Sequence, residues 1–357
     1  MSRQYNNTSS APATPSCLTN HEIYRDELRL LGHGFPLWDP VLGNTYRRVE
    51  VGDVGVLRDN SYFERLFNIL LAPDDPSHTD GVPEGFQRVV LQEPAVYGRE
   101  LSSGILASRG VLVTGGGPVD GGVPSDGDSV IAVCTRPEGA SVILPQGASG
   151  EDVNDEEIFL DYIVANCDSW LAFTESKGFG VDMKDILLVT GRDLTSSWTP
   201  VVFTPHITKI KLSMAARSPS LLKIHGPRQS SSATEYAEDN KNQCVFLRGF
   251  RAKRRKPFQF GKLLNFGQDS EDESPSGSSA PDSAVAVLDY ILGASLTQKI
   301  TRIARWEPAV DIAIFYEGPQ SYPTFGEDQS PGYESVCRML SRLKPVIRIL
   351  DEEKRGS

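Results

Sequence analysis

Apolar and polar positions change period several times along the chain. Ile23, Tyr24, Leu28 and Leu31 recur at helical spacing behind Thr19 and Glu22, whose three-residue offset is that of a capping box, and Gly32, Gly34 and Pro36 close that run. Val49, Val51, Val54 and Val56, followed by an aromatic-rich run at 62–71, predict strand, turn and strand over a covered aromatic core. From residue 89 to 214 the pattern is mostly that of strands, with candidates at 89–91, 110–114, 129–135, 140–144, 185–189, 200–203 and 207–214. The last alternates most clearly, Ile210, Leu212 and Met214 against Lys209, Lys211 and Ser213, as expected of a half-exposed antiparallel strand.

One long amphipathic helix is predicted among these strands. Ser149 stands three residues before Asp152 as its cap, and Glu151, Asp152, Asp155, Glu156 and Glu157 complement the positive end of a helix dipole. Phe159, Tyr162, Ile163, Cys167, Trp170 and Leu171 then fall on one helical face, which predicts packing against the sheet.

Further on, a polar stretch at 226–243 precedes a buried strand at 244–250, which runs into a basic segment. Residues 284–303 read as helix, 310–316 as strand, 333–343 as helix and 346–350 as a last strand. The fold class expected is α+β: a mainly antiparallel β body with one long amphipathic helix, plus a small C-terminal α/β unit. The division is a Ser/Asn/Pro/Thr-rich tail at 1–18, a β-rich body at 19–266, an acidic Ser/Pro-rich linker at 267–283 and the small unit at 284–351. Tail and linker have too few large apolar side chains to offset the entropy of ordering.

Composition narrows the setting. With 357 residues and 39% hydrophobic side chains the chain can build a sizeable core. Cys17, Cys134, Cys167, Cys244 and Cys337 are widely scattered with no C-x-x-C pair, so disulfide and zinc-ribbon scaffolds fall away. No apolar targeting core stands at the N-terminus, and no run approaches the roughly 18 apolar residues of a spanning helix. A reducing compartment, cytoplasmic or nuclear, without membrane contact is therefore expected, and Asn6-Asn7-Thr8 is then an inert glycosylation match. The balance of 36 basic against 47 acidic side chains argues against a surface that grips nucleic acid as a whole.

Most motif matches fail on their chemistry. The glycine run at 115–117 follows an apolar strand, but Pro118, Pro124 and Asp126 exclude an immediate helix and no lysine is present to complete a phosphate loop. Gly147-Ala148-Ser149-Gly150 has Glu151 where a nucleophile elbow needs glycine. His21, His33, His78, His206 and His225 are never three or four apart, so no helix offers a pair to one metal. No catalytic residue, metal ligand or cofactor is assigned.

Three segments carry hypotheses. Thr190, Arg192, Asp193 and Trp198 lie in a polar stretch between two strands, which reads as a packed turn or as a ligand-binding turn centred on Asp193. Residues 241–268 hold Lys241, Arg248, Arg251, Lys253, Arg254, Arg255, Lys256 and Lys262 with no acidic residue. Within them Arg251, Lys253, Arg254, Arg255 and Lys256 fit a nuclear-import signal, an anion-binding patch interleaved with phenylalanines, or simply a solvated turn. Ser270, before Glu271, Asp272 and Glu273, and Ser274, before Pro275, are candidate phosphoacceptors whose modification would mask that charge.

Several segments together resemble a large family of mushroom-forming fungi without an established activity: His33 to Trp38 (HGFPLW), Val51 to Gly55 (VGDVG), Arg65 to Asn68 (RLFN), Val82 to Phe86 (VPEGF), Leu144 to Ser149 (LPQGAS), Leu188 to Gly191 with Ser197-Trp198, and Val245 to Phe250 (VFLRGF). The resemblance implies a basidiomycete intracellular protein and no cofactor or catalytic residue. The reading that results is a non-enzymatic interaction or signalling protein whose partners are other proteins. The alternatives are a nuclear nucleic-acid-associated protein acting through 248–262, and an enzyme or small-ligand binder using 190–198.

Overall fold

The computed structural model describes residues 18–40, 47–58, 62–115, 129–214, 222–225, 241–254 and 312–317. Its elements begin with helix α1 (Asn20–Arg29) and strands β1 (Phe35–Pro36), β2 (Asp53–Arg58) and β3 (Tyr62–Asn68). Strands β4 (Val96–Leu101), β5 (Gly104–Ala107), β6 (Val111–Gly115), β7 (Ser129–Cys134), β8 (Gly139–Leu144) and β9 (Ala148–Val153) precede helix α2 (Glu156–Ser176) and a single 3-10 turn at Met183–Asp185. Then come β10 (Ile186–Thr195), β11 (Thr199–Phe203), β12 (Lys209–Met214), β13 (Leu222–His225), β14 (Gln243–Arg254) and β15 (Ile312–Glu317).

The strands make three antiparallel sheets, in agreement with a β-rich α+β class. The largest, of eight strands, is built on β10, all ten of whose residues are buried. One side of β10 pairs along its length with β14; the other pairs first with β2, at 186–188, and then with β9, at 191–194. β4 flanks β9, while β1 and β15 lie on the far side of β14. β5, β8 and β11 form a second sheet, and β6, β7, β12 and β13 a third. In β12, Lys209 and Lys211 are exposed and Ile210 is buried, the alternation expected from the sequence.

A register shift between Val189 and Gly191 decides what β10 can present. Leu187, Val189 and Leu194 all lie in one apolar cluster with Phe35, Leu37, Leu57 and Leu247. Residues of odd and even number share that face only because an extra residue interrupts the two-residue period. Gly191 and Asp193 are thereby turned to the opposite face, the one on which Leu188 packs against α2.

Helix α2 buries Phe159, Ile163, Cys167, Trp170 and Phe173 against Val54, Val56, Leu188 and Phe250, so its apolar face is as expected. Its start is not. Residues 148–153 are strand β9, and the cap is Asp155, whose carboxylate accepts the Glu157 N–H at 3.2 Å. Hydrogen bonding of β9 to β4 and β10 on both sides outweighs the local signal for a helix at Ser149. Helix α1 is stabilised by Glu22, which accepts the Thr19 N–H at 2.8 Å, and buries Tyr24 and Leu28 in a cluster with Val142, Trp198 and Phe246.

Two further expectations are corrected. Residues 89–91 are not a strand, and the segment expected as a turn at 190–198 continues β10 to Thr195 and enters β11 at Thr199. Of the C-terminal elements, only β15 is described; it pairs with β14 from Gly249↔Glu317 to Arg254↔Ile312, and the Tyr316 hydroxyl donates to Glu156 Oε1 at 2.6 Å. The tail at 1–17, the linker at 267–283, the helices expected at 284–303 and 333–343 and the strand expected at 346–350 lie outside the described residues. No helix among the described residues is long and apolar enough to cross a membrane.

Candidate functional site

The densest polar constellation grows from two Gly-x-Asp triplets, Gly150-Glu151-Asp152 in β9 and Gly191-Arg192-Asp193 in β10. The strands are antiparallel, and their register places Asp152 opposite Gly191 and Asp193 opposite Gly150. Residues paired across an antiparallel ladder share a face, so each aspartate has a glycine beside it and open space above that glycine.

An arginine fills each space from the next strand out. Arg99 of β4 is opposite Gly150, and Arg248 of β14 is opposite Gly191. Arg99 crosses Gly150 to reach Asp193, with Nη2 2.8 Å from Oδ2 and 2.9 Å from Oδ1. Arg248 crosses Gly191 to donate from Nε to Asp152 Oδ1. The two links are themselves joined, since Arg248 Nη1 lies 3.1 Å from Asp193 Oδ1 and Arg99 Nε lies 3.8 Å from Asp152 Oδ2. Two guanidiniums and two carboxylates thus alternate in a closed ring without net charge, spread over four strands.

Three of the ring's four members are buried, and Arg99 closes it from the rim at 29% exposure. Asp193 and Arg248 are fully buried and Asp152 is 5% exposed. Besides the two aspartates, Arg248 donates to the carbonyls of His33 at 3.0 Å, Arg192 at 2.8 Å and Glu151 at 3.3 Å. Five acceptors therefore meet the five N–H donors of a guanidinium, which is what makes a buried charge tolerable. Burial opposes the charge on Arg248, but Asp193 and Asp152 hold its pKa above the ordinary value. Burial raises the pKa of Asp152, against the pull of Arg248 and Arg99.

The middle residues of the triplets meet on the other face. Arg192 is opposite Glu151, with Nη2 2.8 Å from Glu151 Oε2 and 2.7 Å from Glu50 Oε2. Both faces of the β9–β10 pair are therefore cross-linked by charge.

At the rim, His33 lies against Phe246, ring centroids 5.1 Å apart, with Nδ1 3.9 Å from Asp193 Oδ2. Burial lowers its pKa; Asp193 pulls it up, while Arg99 and Arg248 press it down further, so the imidazole is neutral near pH 7. Tyr97, opposite Asp152 at the open end, is 51% exposed. Asp193 is closed off: it is fully buried, both its oxygens accept from guanidinium, and His33 is beyond hydrogen-bond reach of it. Cys244, also near Asp193 and Arg192, has its thiol pushed up to about 12 by burial and stays protonated. Among the described residues no group of three or more His, Cys, Asp or Glu side chains is arranged to hold a metal ion.

The sequence-derived residues are distributed differently from the expectation. Arg192 and Asp193 belong to the charged array, Thr190 sits at the register shift, and Trp198 is fully buried in the cluster under α1. Arg251, expected in an exposed basic patch, is fully buried on β14, and its Nε donates to the Lys184 carbonyl at 2.8 Å. Lys253 is partly buried and Arg254 ends the strand; Arg255, Lys256, Ser270 and Ser274 lie outside the described residues. Sequence reading missed Arg99, Asp152, Gly150 and Gly191 as parts of one site. The repeated Gly-x-Asp triplet was the signal available. Comparisons with family models, with curated proteins and with solved structures return no match.

Proposed function

We propose that this chain is a non-enzymatic interaction protein of the cytoplasm or nucleus, in which the ion ring is a structural lock that fixes an exposed outer strand, β4, to a rigid body. The observation that carries the reading is the complete burial of Asp193, both of whose carboxylate oxygens accept from Arg99. A carboxylate that is fully buried and ion-paired in this way is closed to a substrate. A nucleic-acid role through 248–262 is less favoured, because Arg248 and Arg251 face inward. Membership of the fungal family suggested by the sequence segments is part of the same proposal.

Thermal-shift screening of the full chain against a metabolite library tests it. A ligand present at a hundred times its dissociation constant stabilises by about 2.7 kcal/mol. The docking reading predicts no hit at this site; a hit that disappears in a folded His33→Gln variant makes the ring a ligand site and refutes the reading.

A further inference from the structure

We propose that the outer edge of β4 receives an extended, basic peptide segment of a partner protein, added to the sheet as a further strand. The inference rests on the docking reading above and names the chemistry of the partner. Asn154 N donates to Ala95 O at 3.1 Å, which turns residue 95 toward β9. Backbone groups alternate in direction along a strand, so Tyr97, Arg99 and Leu101 face β9, and Val96, Gly98 and Glu100 present their N–H and C=O groups outward. Among the described residues β9 is the strand that pairs with β4, and no backbone partner occupies that outer edge.

Natural sheets shield such edges with prolines, bulges or charged side chains. β4 (Val96–Leu101) is six residues long and has no proline, its register with β9 is unbroken, its one arginine is turned inward to Asp193, and its one outward charge is Glu100. The sheet face at its midpoint is open as well, so side chains of an added strand would not be crowded there: a Cβ built on Gly98 would meet only the Gly150 carbonyl, at 3.9 Å. Val96 and Tyr97 are 36% and 51% exposed on opposite faces, so an incoming strand gains apolar contact on each.

Charge selects the occupant. Glu93 precedes the strand and Glu100 lies at its end, and Glu151 and Asp155 stand on the neighbouring chain segment that pairs with it, all at least partly exposed. The basic groups among them are few: Lys241 on Glu100 at 3.1 Å, and Arg192 on Glu151. A strand with alternating lysine or arginine would place its charges over these carboxylates; an acidic strand would be repelled.

The test titrates the full chain into a fluorescein-labelled octapeptide of alternating lysine with threonine or valine, read by anisotropy. Three controls accompany it: the same peptide N-methylated at every second residue, a glutamate-for-lysine version, and the Gly98→Pro and Glu93→Lys/Glu100→Lys variants. The proposal expects binding of the basic peptide, at least tenfold weaker after N-methylation or in Gly98→Pro, similarly weakened by charge reversal, and none of the glutamate version. Gly98→Pro removes an N–H that makes no bond within the sheet, so the fold is retained; the N-methylated peptide tests the same bond without altering the protein. Equal binding of the methylated peptide, or no binding of the basic one, overturns strand addition at β4. A metabolite hit at the ring would instead remove the docking reading itself, so the two failures are distinguishable.

Discussion

Gly191 stands opposite Asp152 at such close quarters that a methyl group on its α-carbon would lie 1.9 Å from Asp152 Oδ1 and 2.7 Å from Arg248 Nε. The same holds at the reciprocal position, where a Cβ on Gly150 would lie 2.6 Å from Asp193 Oδ1 and 2.5 Å from Arg99 Cγ. Space above these two glycines is what allows the arginines to cross a strand.

Alanine at either position should therefore be costly. Gly191→Ala and Gly150→Ala are each expected to lower the unfolding free energy by about 2–4 kcal/mol, through overpacking and displacement of a buried ion pair. Gly98→Ala, with open space around it, should change stability by no more than about 1 kcal/mol. Urea denaturation of the three variants checks the contrast.

Removing one member of the ring leaves the others uncompensated. Asp193→Ala should cost about 3–5 kcal/mol, because it strands the fully buried Arg248 with one carboxylate partner fewer. Replacing a ring pair by apolar side chains of similar volume, as in Asp152→Leu with Arg248→Met, should cost less than either single change. Chemical denaturation decides the ordering.

Asp53 supplies a pH dependence of known sign. Burial pushes its carboxyl up to about 6, against Arg65, the Glu50 N–H and Asn68. In the unfolded chain it titrates near 3.8, so between that value and about 6 the folded state retains the proton longer. Stability from this group is present at low pH and is lost as pH rises through that window, by on the order of 3 kcal/mol. Asp53→Asn should flatten the profile of melting temperature against pH over this interval.

His33 acts in the opposite direction. Its pKa is held below the usual 6.5 by burial, so the folded state resists protonation and stability is lost as pH falls below that value. His33→Gln should remove this acid-side loss, measured as a shallower decline of melting temperature below pH 6.5.

Much of the fold was legible because its signals were local. The period of Phe159, Ile163, Cys167 and Trp170 gave α2, and the alternation about Ile210 gave β12. The site was hidden because its signals were not. Glu151 and Asp152 look like the acidic first turn of a helix until β4 and β10 are seen on either side of them. Gly191-Arg192-Asp193 has the composition of a turn, yet the partner of Asp193 is Arg99, 94 positions away, and that of Arg248 is Asp152, 96 positions away. Basic composition misled in the same way at Arg248 and Arg251, since a run of positive residues does not reveal that these two, on opposite faces of β14, are each buried against acceptors.

A double-mutant cycle on Arg99 and Asp193, using Arg99→Met and Asp193→Leu singly and together, tests the ring most directly. The account predicts a coupling of about 2 kcal/mol or more, since the pair is bidentate and one partner is fully buried. Additivity within about 0.5 kcal/mol would mean that the two side chains do not meet in the folded protein, and would contradict the lock on which the account depends.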